Sequence, residues 1–166
     1  MGVSYKTKKD KFPDMIKQIQ SLNGKSIEVG CIEGQHKWLA AIHEYGCDIK
    51  VTPKMRAYLH SKGLHLKDST TVIKIPERSF LRSGHDKEID GVMDKANMAV
   101  MQVLSGRMSE KQFLDMIGQM LATKIKDYAR DLDNPPNHPY TTEQKGSSNP
   151  LVDTGNMIEG ITWRVK

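Results

Sequence analysis

Residues 85–128 read HDKEIDGVMDKANMAVMQVLSGRMSEKQFLDMIGQMLATKIKDY, and this stretch decides the fold. Apolar residues recur in it at every third or fourth position, which is the spacing along one face of an α-helix. The pattern breaks at Ser105-Gly106, and Ser109 then offers a hydroxyl suited to capping a second helix. The stretch therefore predicts two long amphipathic helices, from about His85 to Leu104 and from Ser109 to about Tyr128, that pack together or onto a sheet.

Shorter elements surround this pair. Pro13 is suited to the first turn of a helix, which Asn23-Gly24 ends. The remaining segments are a strand at 26–32, a helix from Gly34 to Tyr45, a short strand around Ile49 and Val51, a helix from Pro53 to Ser61, a β-ribbon pairing 64–66 with 71–75, and a strand at 161–165. These patterns predict an α+β fold, in which a small mixed or antiparallel β-sheet packs with two long amphipathic helices and several short ones.

The chain has 166 residues, a length that suits one domain. We expect residues 1–12 to form a flexible basic arm and residues 13–166 to form a single α+β domain. Within that domain, residues 133–150 are predicted to be a mobile loop without regular structure. Four of the seven prolines lie there, and Tyr140 is almost the only apolar side chain that the segment could bury. No internal repeat and no second domain is evident.

Charge indicates one candidate nucleic-acid contact. The formal net charge is +5, and we assign most of the excess to Lys6, Lys8, Lys9 and Lys11, opposed only by Asp10. Such a cluster can face phosphates and release counterions, although a short terminal lysine cluster is more often a solvated arm. The ten methionines fit a plain helical core better than a surface that repacks on a partner.

Several classes of protein are not indicated. No segment approaches the ~18 apolar residues of a membrane span, and the first residues lack the apolar stretch of a secretory signal. Cys31 and Cys47 are too few for a disulfide framework and form no CxxC pair, which disfavours zinc. A Walker loop, a GxGxxG loop and a GxSxG elbow are all missing. The sequence therefore predicts no catalysis, no cofactor and no metal.

Three segments, in this order along the chain, resemble one family of bacteriophage proteins. Leu39–Gly46 (LAAIHEYG) resembles the A-x-I-H-E-[FY]-G helix end of phage virion-morphogenesis proteins of the Mu-like tail-completion, neck and head–tail joining type. Ile75–Arg82 (IPERSFLR) is similar to their I-P-x-R-x-F-L-R segment. Residues 145–161 (KGSSNPLVDTGNMIEGI) resemble their K-G-S…P-L-x-D-T-G-x-L-x-x-S-I ending. Together the segments span residues 39–161.

The resemblance implies a structural phage protein without catalytic activity. It implies assembly as a homo-oligomeric ring or cap at the head–tail junction of the virion, after synthesis in the cytoplasm of the bacterial host. The partners implied are the portal or connector and the tail tube or tail terminator, with DNA only as the passing genome and no membrane. The isolated protomer is expected to stay monomeric until a template sets the ring angle.

The residues of these segments also have physical roles that do not depend on the family. Twelve are candidates for structural or assembly roles: Glu44, Tyr45, Gly46, Pro76, Arg78, Phe80, Leu81, Arg82, Leu151, Asp153, Thr154 and Gly155. Tyr45 is expected to be an aromatic anchor beside Gly46, which closes its helix. Pro76 ends a strand. Phe80 and Leu81 fill the core. Arg78 and Arg82 grip carboxylates from one face, and Asp153 or Thr154 caps the last turn.

Two other functions stay open. The runner-up is a nucleic-acid-binding accessory protein that uses Lys6, Lys8, Lys9 and Lys11. A more distant alternative is a metal-dependent hydrolase centred on His36, His43 and Glu44, although no HExxH motif and no third ligand at suitable spacing is evident.

Overall fold

The fold is α+β, as predicted. A computed structural model describes residues 12–34 and 36–166, so the basic residues at positions 6–11 lie outside the described part, and Phe12 already belongs to the first helix. The elements in chain order are α1 Phe12–Leu22, β1 Ile27–Gly30, α2 His36–Tyr45, β2 Cys47–Lys50, α3 Pro53–Ser61, β3 Val72–Ile75, α4 Phe80–Leu104, α5 Glu110–Asp131, α6 Pro139–Lys145, α7 Asn156–Glu159 and β4 Thr162–Val165. No helix in these ranges is both long and apolar enough to cross a membrane.

The long helices α4 and α5 pack against each other and form the body of the molecule. Ser109 caps α5 in a capping box: its hydroxyl accepts from the Gln112 N–H at 3.3 Å, and its own N–H donates to Gln112 Oε1 at 2.9 Å. Helix α4 begins at Phe80, earlier than the predicted His85. Phe80 is fully buried in the core. Its packing stabilises the additional turn, and the helical spacing of apolar residues does not predict that contact.

The β-structure of the described residues consists of two separate two-stranded antiparallel sheets. Strand β1 pairs with β4, and this sheet covers α5. Strand β2 pairs with β3 in the register Cys47↔Ile75 to Lys50↔Val72. The predicted pairing of 64–66 with 71–75 is therefore wrong. Arg56 explains why, since its guanidinium donates to the carbonyls of Leu66, Lys67 and Thr70 and holds that stretch as a loop.

Residues 47–75, which we call the projection, comprise β2, α3 and β3. No residue of the projection is buried. Among the described residues, neither its strands nor its helix packs extensively against another element of the molecule. It contains six basic residues and two acidic ones, a formal charge of +4. Residues 6–11 carry a net +3 of the chain's +5, so the projection is a second positive cluster, offset by acidic residues elsewhere in the chain.

The expectation that residues 133–150 lack regular structure is wrong in the middle of the segment. Pro139–Lys145 forms α6, because Pro139 occupies the first turn, where its missing N–H costs nothing. His138 Nδ1 accepts from the Tyr140 N–H at 3.3 Å, and Gly146 (φ 67°) ends the helix in the left-handed conformation. The mobility of the segment stays a prediction.

The methionines of α4 do not form the expected core. Met98 and Met101 are 72% and 62% exposed, and Met93 is 44% exposed. The core beneath them consists mainly of smaller and branched side chains, such as Val92, Ala96 and Val103. The outer face of α4 is therefore partly apolar.

We expect Gly118→Ala to destabilise the fold, because a Cβ at this position would lie 2.3 Å from Trp163 Cδ1 and 3.0 Å from its Cβ. Overpacking of this kind costs about 1–3 kcal/mol of unfolding free energy, measurable by urea denaturation. Gly91→Ala in α4 is the matched control. Its Cβ would meet nothing within 4 Å, so the variant should gain about 1 kcal/mol in helix propensity. Equal effects of the two substitutions would contradict this packing.

Candidate functional site

Glu44 lies at the centre of a polar junction between the first two family-like segments. Its carboxylate is 2% exposed and accepts the N–H groups of Leu81 and Arg82 at 2.8 and 3.0 Å. These are free N–H groups of the first turn of α4, and the local N-cap residue Ser79 makes no side-chain capping bond. Glu44 therefore caps α4 from another helix, where the helix dipole favours a negative charge.

Arg82 completes this junction. Its Nε donates to Glu44 Oε1 at 2.9 Å, and its Nη2 donates to the Glu44 carbonyl at 3.0 Å and to Glu77 Oε1 at 2.6 Å. Both carboxylates raise the pKa of Arg82 by hydrogen bonding. The prediction that Arg82 grips carboxylates is confirmed. Tyr45, expected as an aromatic anchor, is instead 66% exposed, and its ring lies 4.9 Å from the Arg82 guanidinium carbon.

Arg78 has a different role from the one predicted, because it binds carbonyls and not carboxylates. It is 4% exposed and donates to Pro135 O at 2.8 Å, to Pro136 O at 3.2 Å and to Asn137 Oδ1 at 3.2 Å. Among the described residues it has no ion-pair partner within 4 Å. Arg78 thus ties the proline-rich segment to the body, and burial lowers its pKa.

Gly46 and Pro76 bring the first two segments together. Gly46 adopts φ 71°, and a Cβ there would lie 2.9 Å from both Glu77 N and Ile75 O. The left-handed conformation confirms the predicted helix closure, and the close approach adds a second reason for glycine. Pro76 follows the last residue of β3, as predicted, and the Arg78 N–H then donates to the His43 carbonyl at 2.7 Å.

The third segment lies beside this junction. Leu151 is buried in the core, and Gly155 (φ 82°) precedes α7. Thr154 Oγ1 accepts weakly from the Asn156 N–H at 3.5 Å, whereas Asp153 makes no capping bond. The N-cap of α7 is Gly155, so the predicted cap by Asp153 or Thr154 is wrong. Phe80 and Leu81 fill the core as expected, fully buried and partly buried respectively.

A small pocket joins the first and third segments. Its volume is about 230 Å³, and its walls come from α2, α6 and the stretch from Pro150 to Met157. Two buried polar atoms of lining residues have no hydrogen-bond partner among the described residues: His43 Nδ1 and Asn137 Nδ2. Burial, with Arg78 and Lys145 nearby, lowers the pKa of His43 to about 4. We call this the His43 pocket.

The hydrolase alternative receives no support from this geometry. His36 and His43 both line the pocket, but the Glu44 side chain is bound to the N-terminus of α4 and to Arg82. Glu44 is thus committed to other partners and is not positioned as a base. Within residues 12–34 and 36–166, no three His, Cys, Asp or Glu residues form a group that could hold a metal ion.

Sequence reasoning missed three members of the site. Asn137 and Lys145 line the pocket, and Glu77 contacts Arg82. Lys145 and Glu77 fall within the family-like segments, so the resemblance could have identified them. Asn137 lies in the proline-rich segment, where no sequence pattern indicated a role for it. The candidate DNA-facing residues Lys6, Lys8, Lys9 and Lys11 lie outside the described residues.

Comparison of the chain with protein-family models, with curated proteins and with solved structures finds no match. The family resemblance therefore depends on the three segments themselves.

We expect Glu44→Ala to lower the unfolding free energy by about 2 kcal/mol, since it leaves two helix N–H groups uncapped and removes the buried partner of the half-exposed Arg82. Glu77→Ala is the control: it removes the other carboxylate of Arg82, but Glu77 is 55% exposed, and such pairs contribute at most about 1 kcal/mol. Urea denaturation of both variants measures the difference. Equal losses would show that the cap is not the stabilising feature.

His43 should make stability depend on pH. Its pKa is lowered from 6.5 to about 4 in the folded chain, so the unfolded chain binds the proton first. Stability is therefore fully present above pH 6.5 and is lost as the pH falls towards 4, by up to about tenfold in the unfolding constant per pH unit. His43→Gln should flatten this dependence in denaturation curves recorded between pH 7 and 4. An unchanged slope in the variant would contradict the assignment.

Proposed function

We propose that this protein is a structural component of a bacteriophage virion, of the neck or tail-completion type, that assembles at the head–tail junction between the portal or connector and the tail. One observation carries the proposal. The three segments that resemble the virion-morphogenesis family are far apart in sequence, yet they meet at the Glu44–Arg82 junction and the adjacent His43 pocket.

The projection supports an assembly role. Its two strands pair only with each other within the described residues, so each leaves one edge with free backbone groups. A two-stranded ribbon is marginally stable alone, and such edges accept strands from another chain. The projection is therefore suited to bind a neighbouring subunit or another virion protein.

The outer face of α4 offers a second contact surface. Asp86, Asp90 and Asp94 recur every four residues along one side of the helix, and Met98 and Met101 continue it. All five residues are exposed. The acidic part complements the +4 charge of the projection, and methionine adapts to irregular partners. A head-to-tail contact between the projection of one protomer and α4 of the next would build the expected ring.

A nucleic-acid-binding accessory role stays the second candidate. The observation that favours it is the projection itself, where Lys50, Lys54 and Lys67 make no ion pair among the described residues. The N-terminal lysines would add to this basic surface. In that case, binding to bare DNA should weaken steeply with salt. In the assembly role, the same lysines contact acidic protein surfaces.

Deletion of the gene from the phage genome tests the proposal. We expect filled heads and tails that fail to join, seen by electron microscopy, with a loss of infectious particles. Complementation with the triple variant Lys50→Glu, Lys54→Glu and Lys67→Glu should fail, because it reverses the charge of the projection without touching a buried residue. The matched control is the triple variant Lys17→Glu, Lys37→Glu and Lys95→Glu, at exposed positions of α1, α2 and α4 outside the projection. It should restore joining. Normal infectious particles from the deletion strain would refute the assembly role.

A further inference from the structure

The His43 pocket has features of a ligand site that the proposed function does not use. Its volume of about 230 Å³ exceeds the 150 Å³ or so of a protein cavity that holds benzene. Leu39, Leu151 and Met157 form an apolar part of its wall, and His43, Asn137 and Lys145 form a polar part. The pocket therefore suits a molecule, or a single side chain, with one polar end and a short aliphatic part.

Asn137 lines this pocket and carries an amide whose orientation is fixed. Its Oδ1 accepts from Arg78 Nη2 at 3.2 Å, which determines the orientation of the amide. The NH2 group must then point away from Arg78, and its nitrogen is buried without a partner in the part of the chain that the structure describes. A buried unpaired donor costs about 1–3 kcal/mol, and a ligand oxygen would remove that cost.

Lys145 adds a positive charge whose donors are not all used. Its Nζ donates to Asn149 O and Pro150 O, both at 3.2 Å, and an ammonium has three N–H groups. Burial lowers the pKa of Lys145, and Arg78 lowers it further, while Asp153 acts in the opposite direction. Lys145 in the pocket wall and Arg78 behind Asn137 thus outweigh the one carboxylate of the lining, Asp153, and the sum of charges favours an anion.

His43 contributes the third polar atom. Its Nδ1 is buried and has no partner within residues 12–34 and 36–166. Burial, and then Arg78 and Lys145, lower the pKa of His43 below its ordinary value. A bound anion would offset both cations and stabilise a proton on the imidazole. The titratable and charged groups around the site are His36 and His43 of α2, Lys145 of α6, Asp153, and Arg78 behind Asn137.

We propose that the His43 pocket binds the carboxylate of a short aliphatic acid, either a free acid or the side chain of a glutamate on another protein. The carboxylate oxygens accept from Asn137 Nδ2, from the unused N–H of Lys145 and from the Nδ1–H of His43, and the aliphatic part lies against Leu39, Leu151 and Met157. Phosphate fits less well, since it has no apolar part to cover these side chains.

Propionate tests the site in NMR titrations of the full chain at pH 6.5. Sodium propionate replaces an equal concentration of sodium chloride, so that the ionic strength stays constant. We expect saturable shifts of the His43 imidazole signals, half complete at about 1–10 mM, and an upward shift of the His43 pKa. Propionamide has the same shape without the charge and should bind at least tenfold more weakly. If both probes bind equally, the pocket recognises an amide or a hydrogen-bonding group in general, and the carboxylate assignment is wrong.

Variants separate this site from non-specific anion effects. Asn137→Asp keeps an oxygen for Arg78 but replaces the donor with a negative charge, and Lys145→Gln removes the cation. Each should weaken propionate binding at least tenfold, while Lys37→Gln, on α2 outside the pocket, should leave it unchanged. Two different substitutions guard against misfolding, which circular dichroism checks. Equal responses of the wild type and both variants, or no saturable response up to 100-fold above the expected midpoint, would overturn the proposal.

The two sources of the carboxylate are distinguished by a blocked Ala-Glu-Ala peptide. Binding of the peptide with an affinity within tenfold of propionate supports a glutamate side chain entering from another protein. Binding of propionate alone supports a free acid. The phage complementation experiment does not depend on either result, so failure of this site and failure of the assembly role can be told apart.

Discussion

The carboxylate of Glu44 is the interaction on which the arrangement of the molecule depends. It caps α4 across the gap between two helices and pairs with Arg82, so the end of α2 and the start of α4 cannot move independently. The residues between these points leave the body and return to it, which produces the projection. A cap supplied by Ser79 would have stabilised α4 but would not have linked it to α2.

Arg78 links the proline-rich segment to the start of α4 in the same way, through hydrogen bonds of a buried side chain. Its guanidinium makes three hydrogen bonds to residues 135–137, which positions the segment that continues into α6. Helix α6 carries Lys145 and closes the His43 pocket together with the stretch from Pro150 to Met157. Two arginines, four residues apart, thus organise opposite sides of one site: Arg82 binds the carboxylates, and Arg78 binds the loop.

Much of the fold was predictable, because α4 and α5 carry a clear helical period and Ser109 a local cap. The bounds of α3 and the closure by Gly46 were also predictable from local sequence. The errors arose where distant residues decide the outcome. The 64–70 stretch is a loop because Arg56 binds its carbonyls. For the site, the sequence patterns drew attention to Glu44, Arg78 and Arg82. The segment that Arg78 binds and the role of Asn137 follow from tertiary contacts that no local pattern encodes.

Because the projection is exposed, the residues that can bind a partner are different from the residues that stabilise the fold. Since no residue of the projection is buried, a surface substitution there usually changes stability by no more than about 0.5 kcal/mol. The body carries the core and the junction and tolerates far less. Adaptation to a changed binding partner can therefore accumulate in residues 47–75 at little expense to folding, so that recognition evolves in one part of the chain and foldability is maintained in another.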